Sequence, residues 1–377
     1  MDASATVTTR YTDLNPPPRI LLGPGPSMVH PRVLRAMAAP PIGHLDPQFI
    51  EIMNEIQALL RMVFQSEEAL TIPVSGTGSA GMEAALANFI EEGDPVLICV
   101  NGYFGERLTD MARRYGADVS RVEVAWGEVF TAQQVEEALQ ARPAKIVAIV
   151  HAETSTGALQ PLDEIAEVAH RHGALLLVDA VTSLGGVPVR FDEVGIDIAY
   201  SGTQKCLSAP PGLAPIALSP RAVEVLKSRK STVKNWYLDL TMVFKYWGAE
   251  RTYHHTAPIN MNYALREALR LVLEEGLEAR FERHRRNAEM LWDGLAALDL
   301  MPVVPLEHRL PSLTTVYIPE GLDEAALRRR LLNEYNIEVA GGLGAFAGRV
   351  WRIGLMGYSS RPENVVTLLG ALERILG

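Results

Sequence analysis

Residues 162–205 read LDEIAEVAHRHGALLLVDAVTSLGGVPVRFDEVGIDIAYSGTQK, and this stretch decides the fold. A helical pattern over 162–172 stops at Gly173, which suits a left-handed residue closing a helix. The runs 174–178 and 196–200 that follow are largely apolar, as strands covered on both faces are. The same alternation extends outward through the runs 96–100, 146–150 and 214–218, with helical patterns between them. Alternating β and α elements imply an α/β fold, with a mostly parallel sheet flanked by helices.

A second unit opens with the charged helical stretch 278–298, whose Arg283-His284-Arg285-Arg286 cluster reads as a solvated helix face. The segments 312–318, 324–334 and 350–355 then suggest a small α+β domain. The polar start ends in Pro16-Pro17-Pro18 and reads as an arm lying on another surface. The expected division is an N-terminal arm over 1–21, a large domain over 22–276 and a small C-terminal domain over 277–377. A chain of 377 residues suits such a division, and 48% hydrophobic with 21% charged residues is ordinary for a globular protein.

The net charge of -10 argues against nucleic acid or an anionic membrane as partner. The two cysteines, Cys99 and Cys206, have no metal-ligand or disulfide spacing. No apolar run reaches the length of a membrane span, and the start lacks a signal core. A cytoplasmic location is expected.

In open parallel sheets, ligands gather beyond the carboxyl ends of the strands. After 146–150 come His151, Glu153, Thr154, Ser155, Thr156 and Gly157; after 174–178 comes Asp179; after 196–200 come Ser201-Gly202-Thr203-Gln204-Lys205. Three strands thus deliver hydroxyls, an acid and a lysine to one edge. Asp179 reads either as a turn or cap residue or as a carboxylate facing a pyridinium nitrogen. Lys205 reads either as a surface lysine or as a nucleophile toward an aldehyde. Upstream, Ser75-Gly76-Thr77-Gly78-Ser79-Ala80-Gly81 opens a helix, an arrangement that cradles phosphate. The stretch also matches a dinucleotide fingerprint, but the acid expected at the end of the next strand is missing. Arg352, in an apolar run, pairs either with a buried acid or with a substrate carboxylate. Tyr253-His254-His255-Thr256 has no metal-ligand spacing.

Eight motifs in order then resemble the class V aminotransferases. They are Gly23-Pro24-Gly25-Pro26, Ser75-Gly76-Thr77-Gly78, Glu153-Thr154-Ser155-Thr156-Gly157, Leu177-Val178-Asp179, Tyr200-Ser201-Gly202-Thr203-Gln204-Lys205, Ala209-Pro210-Pro211-Gly212, Tyr253-His254-His255-Thr256 and Arg352-Ile353-Gly354-Leu355. The resemblance is strongest to the alanine–glyoxylate and serine–glyoxylate (serine–pyruvate) branch, and runs from about residue 20 to the C-terminus. It implies the fold-type-I architecture and pyridoxal 5'-phosphate as cofactor. By the same resemblance, Lys205 holds the cofactor as an internal aldimine and shuttles a proton, and Asp179 faces the ring nitrogen. Thr77, Gly78, Ser79 and Gln204 hold the phosphate. Phe104 stacks on the ring where the mammalian type carries Trp, and Thr154 stands beside it where that type has Ser. Arg352 binds the substrate carboxylate, and Gly25 lines the substrate pocket. Tyr253 and Thr256 reach the phosphate of a neighbouring subunit, which implies a homodimer with shared active sites.

The expected reaction is ping-pong transamination between alanine or serine and glyoxylate. Ureidoglycine, aspartate or a phosphonate amine are alternative donors. Cysteine desulfuration on the same fold needs an exposed thiol on a mobile loop, and neither cysteine suits that part. A non-catalytic or dinucleotide-dependent protein is the rival of another class.

Overall fold

The computed structural model describes residues 13–377, so residues 1–12 of the expected arm lie outside the described residues. Seven strands form the large sheet: β1 (Leu70–Ser75), β2 (Pro95–Val100), β3 (Asp118–Glu123), β4 (Ile146–Val150), β5 (Leu175–Asp179), β6 (Ile198–Tyr200) and β7 (Leu213–Leu218). Their spatial order is β1-β7-β6-β5-β4-β2-β3. Every pair from β6 across to β3 is parallel, and only β7 runs antiparallel to both its neighbours. The order reverses at β4, so β2 lies on one side of it and β5 on the other. Such a switch opens a crevice at the carboxyl edge.

Helices cover the sheet because their apolar residues recur on one face. In Pro47–Phe64, Asp46 caps the N-terminus, Pro47 opens the first turn, and Phe49, Met53, Ile56 and Leu60 are all fully buried. Burying each such side chain stabilises by about 1.5–3 kcal/mol. Asp163–Arg171 ends as the sequence suggests, with Gly173 at φ +74°. Among the described residues, no helix is long and apolar enough to cross a membrane.

A smaller C-terminal domain has its own sheet of β8 (Leu313–Tyr317), β9 (Ala340–Gly341) and β10 (Val350–Gly354), ordered β8-β10-β9 and antiparallel throughout. Its core gathers Leu291, Leu295, Val316, Leu331, Trp351, Ile353, Leu368 and Leu372. Leu22 joins that core, and Ile20–Leu21 pairs in parallel with Ile337–Glu338. From there the chain runs to Ser27. Its N–H donates to the Gln204 carbonyl (2.9 Å), and its hydroxyl to the Lys205 carbonyl (2.7 Å).

The basic cluster of helix Leu277–Ala297 is only partly a solvated face. Arg285 pairs at the surface with Glu282 and Glu289. His284, however, is fully buried, and its Nε2 accepts the Gly357 N–H at 2.9 Å. Arg283 donates to the carbonyls of Gly357 and Ser360. Helical periodicity sends neighbouring residues of a charged run to different faces, and two of these four point inward.

Candidate active site

The carboxyl ends of β4, β5 and β6, with the N-terminus of helix Gly78–Phe89, enclose a cavity of about 200 Å³. Its walls include Thr77, Gly78, Ser79, Phe104, Thr154, Asp179, Gln204 and Lys205. Residues up to 128 positions apart in sequence thus converge because parallel strands deliver their ends to one edge.

Asp179 is the last residue of β5 and is 2% exposed. Its Oδ1 accepts the Val181 N–H (2.9 Å) and its Oδ2 the Tyr200 hydroxyl (2.7 Å). Burial pushes its carboxyl above the usual range, while Tyr200, Val181 and Lys205 pull it back. Lys205 lies in the loop after β6 and is 8% exposed. Burial first, then the Arg352 charge, lowers its ammonium to about 8. Its Nζ donates to the Pro24 carbonyl. A Cβ on Gly25, where φ is +110°, would lie 2.8 Å from Lys205 Cδ, so the close approach of these two segments requires glycine.

Helix Gly78–Phe89 begins at Thr77 without a side-chain cap, leaving its first turn free to meet an anion. Beside the cradle, Gln204 Oε1 is buried without a hydrogen-bond partner. Thr154 shares a hydrogen bond with Thr182. Arg352, on β10, is 6% exposed, donates to the carbonyls of Gly341 (2.8 Å) and Thr154 (3.3 Å), and has no ion-pair partner among the described residues. Burial lowers its guanidinium to about 10, against the pull of Glu153. The set fits a ligand with a phosphate at one end, a basic ring nitrogen beside Asp179 and an aldehyde beside Lys205.

This arrangement accompanies full-length similarity to known proteins. The family model described as "Aminotransferase class-V" matches residues 21–363. The chain belongs to the class V aminotransferases. The alanine–glyoxylate aminotransferase of Nostoc sp. is 56% identical in its crystal structure. It superimposes with a TM-score of 0.96 over 98% of this chain and 99% of that one. The (S)-ureidoglycine–glyoxylate transaminase of Bacillus subtilis is 44% identical over 97% of this chain and 92% of its own. The alanine–glyoxylate aminotransferase of Rattus norvegicus is also 44% identical, over 96% and 89%. The fold is therefore the fold-type-I transferase fold, and this family implies pyridoxal phosphate as cofactor.

In this class V frame, Gly25 and Arg352 adjoin the cavity, touching or bonding Lys205 and Thr154. Tyr253 and Thr256 do not line it; both are exposed, and Tyr253 retains 56% of its surface. Four wall residues escaped the sequence reading: Met82, Arg107, Val150 and Val181. Arg107 sits 4.8 Å over the Phe104 ring and donates to Ser79 Oγ at 3.2 Å. In sequence it looks like one more charge of an amphipathic helix. Val181 needed only an extension of the Asp179 motif by two residues.

A larger groove of about 570 Å³ opens near Leu207 and Ser208, between helix Ile259–Glu275 and Arg361. Its buried cations are already engaged. Arg280 donates to Gly185, Cys206 and Glu275, and Arg283 to Glu275, Gly357 and Ser360. Size alone does not move the chemistry there.

Proposed function

We propose that this chain moves the amino group of a small monocarboxylic amino acid, alanine or serine, to glyoxylate. The observation that carries the reading is the meeting of Lys205 and Asp179 in one cavity, with Arg352 as a buried cation lacking a carboxylate partner. Bound there, pyridoxal phosphate would supply an aldehyde to receive the amino group and a ring that draws electrons from the α-carbon.

The residues would divide the remaining work. Thr77, Gly78, Ser79 and Gln204 hold the phosphate, and Phe104 packs on the ring. The Asp179 carboxylate keeps a proton on the ring nitrogen, with one donor on each of its oxygens leaving room for that third contact. Arg352 orients the substrate carboxylate. Lys205, a neutral amine above about pH 8, takes the α-proton and returns it at the acceptor carbon.

Among the described residues Arg352 is the buried guanidinium at the cavity without an ion pair, since Arg328 is tied to Glu324 and the half-buried Arg107 is bonded to Ser79 of the phosphate cradle. This favours a monocarboxylic donor. Equal identity to the Bacillus ureidoglycine enzyme and the rat alanine enzyme keeps ureidoglycine as a second reading. Exposure of Tyr253 and Thr256 supports a homodimer in which each reaches the neighbouring subunit's phosphate. The domain boundary at 276/277 is supported by Gly276, which separates two helices with φ +84°.

Borohydride treatment of the loaded protein is expected to fix the cofactor on Lys205, read by peptide mass. Lys205→Ala is expected to lower turnover by roughly 10²–10⁴-fold or more. A half-reaction screen of alanine, serine, glycine, aspartate and ureidoglycine then identifies the donor from loss of the cofactor's visible band. Conversion by ureidoglycine or aspartate alone would overturn the alanine or serine assignment, and full turnover in Lys205→Ala would overturn the whole reading.

A further inference from the structure

Glu153 is wholly buried three residues beyond the end of β4, closing the short strand Ala152–Glu153, and none of the residue roles proposed for the reaction uses it. Its Oε1 accepts the N–H (3.0 Å) and hydroxyl (2.6 Å) of Ser155, and its Oε2 accepts the Phe104 N–H (3.2 Å). Ser155 Oγ in turn accepts the Tyr103 N–H at 2.9 Å. Tyr103 and Phe104 are the first two residues of helix Tyr103–Arg114, whose N-cap, Gly102, makes no side-chain cap. The first two orphan N–H groups of that helix are therefore met by a carboxylate and a hydroxyl from a distant segment. A negative group is also favoured there by the helix dipole.

The fit is close. A Cβ on Gly102 would overlap Glu153 Cγ and Cδ and lie 2.6 Å from Ser155 Oγ. Three donors converge on the carboxylate, which suits its ionised, acceptor-only form. Burial, with the Asp179 charge, holds that carboxyl above the usual carboxylate range, against the bonds from Ser155 and Phe104. From this anchored end the helix sends two side chains to the cavity: Phe104, and Arg107 lying over it and bonded to Ser79.

We infer that Glu153, with Ser155, is a positioning residue for the cofactor: it caps helix Tyr103–Arg114 from outside and so fixes Phe104 against the ring position. This rests on the pyridoxal-phosphate reading above. Glu153 touches no reacting atom; it acts through Phe104.

The test is a double-mutant cycle on cofactor affinity, measured by titrating the apo chain with pyridoxal phosphate. Glu153→Gln keeps the shape but turns an amide donor toward existing donors, and is expected to raise Kd by about tenfold. In a Phe104→Leu background the same change is expected to shift Kd by less than about twofold, because the ring it positions is gone. Ser155→Ala and Gly102→Ala disturb the same anchor and are expected to show the same dependence on Phe104, so a Glu153 variant that fails to fold leaves the test intact. Amide exchange at Tyr103 and Phe104 is expected to quicken in all three. Additive effects on Kd, or a lower apo Tm with unchanged Kd, would reduce Glu153 to a structural role and overturn the inference. Failure of the unsubstituted chain to take up cofactor sinks the pyridoxal reading and the inference's cofactor role, while the amide exchange decides separately whether the helix anchor exists.

Discussion

A lysine amine in water is almost wholly protonated at neutral pH, and burial, then the Arg352 charge, loosens the proton on Lys205. With its ammonium at about 8 rather than 10.5, the neutral amine is scarce below pH 8 and prevails above it. The rate at which apo chain attaches pyridoxal phosphate is therefore expected to rise with pH around a midpoint near 8 and then level off. Stopped-flow absorbance checks this, and a midpoint near 10.5 would show that the pocket does not desolvate the amine. Lys205 and Asp179 were legible in sequence because each follows an apolar run at a strand's carboxyl end, where position in the chain nearly dictates position in space. Arg107 was not, since its aim depends on how one helix rotates and where its first turn is anchored.

Helices and strands show the same contrast. The five strands read from apolar runs all lie inside the sheet, where both faces are covered. The two that the runs did not reveal, β1 and β3, are its edges. β1 carries Pro73, which an edge tolerates, and β3 reads DVSRVE, with polar residues throughout. β3 is at most half-buried along its length, so its pattern carries little information, whereas β1 is buried from Thr71 to Val74 and is masked in sequence by its Thr and Pro. In helix Leu277–Ala297 the sequence pattern misplaces Arg283 and, fully buried, His284. Its Nδ1 meets the Arg280 carbonyl while Nε2 accepts from Gly357, an arrangement that needs the neutral ring. Burial, reinforced by Arg280 and Arg283, lowers its pKa from 6.5 to about 3. The unfolded chain then binds a proton that the folded chain refuses, so this contribution is complete above pH 6.5 and drains away as pH falls toward 3. His284→Gln retains a donor and an acceptor but cannot titrate, and is expected to flatten the fall of Tm between pH 6.5 and 4. Calorimetry on both forms checks it; parallel curves would remove His284 from the acid response.

For the assembled enzyme, the proposal that Tyr253 and Thr256 serve a neighbour's site makes a quantitative prediction. Lys205→Ala and Tyr253→Ala chains, each of low activity alone, are expected to recover up to about a quarter of wild-type turnover after mixing and subunit exchange, since half the dimers are mixed and half the sites in those are complete. No recovery in samples shown by mass to contain mixed dimers would mean that each subunit builds its site unaided. The α/β architecture was readable from the alternation of elements, and the large and small cores follow it. Contacts that tie the two cores together were not, because they join residues far apart in sequence and leave no local pattern.

One of those ties has a mechanical consequence. The segment from Ile20 to Ser27 is pinned beside Ile337 at its start and on the carbonyls of Gln204 and Lys205 at its end. Held at both ends, it is a short tether, so a tilt of the small domain would draw directly on the loop that carries Lys205. Lengthening that tether by inserted glycines would slacken the linkage without altering any group that meets substrate.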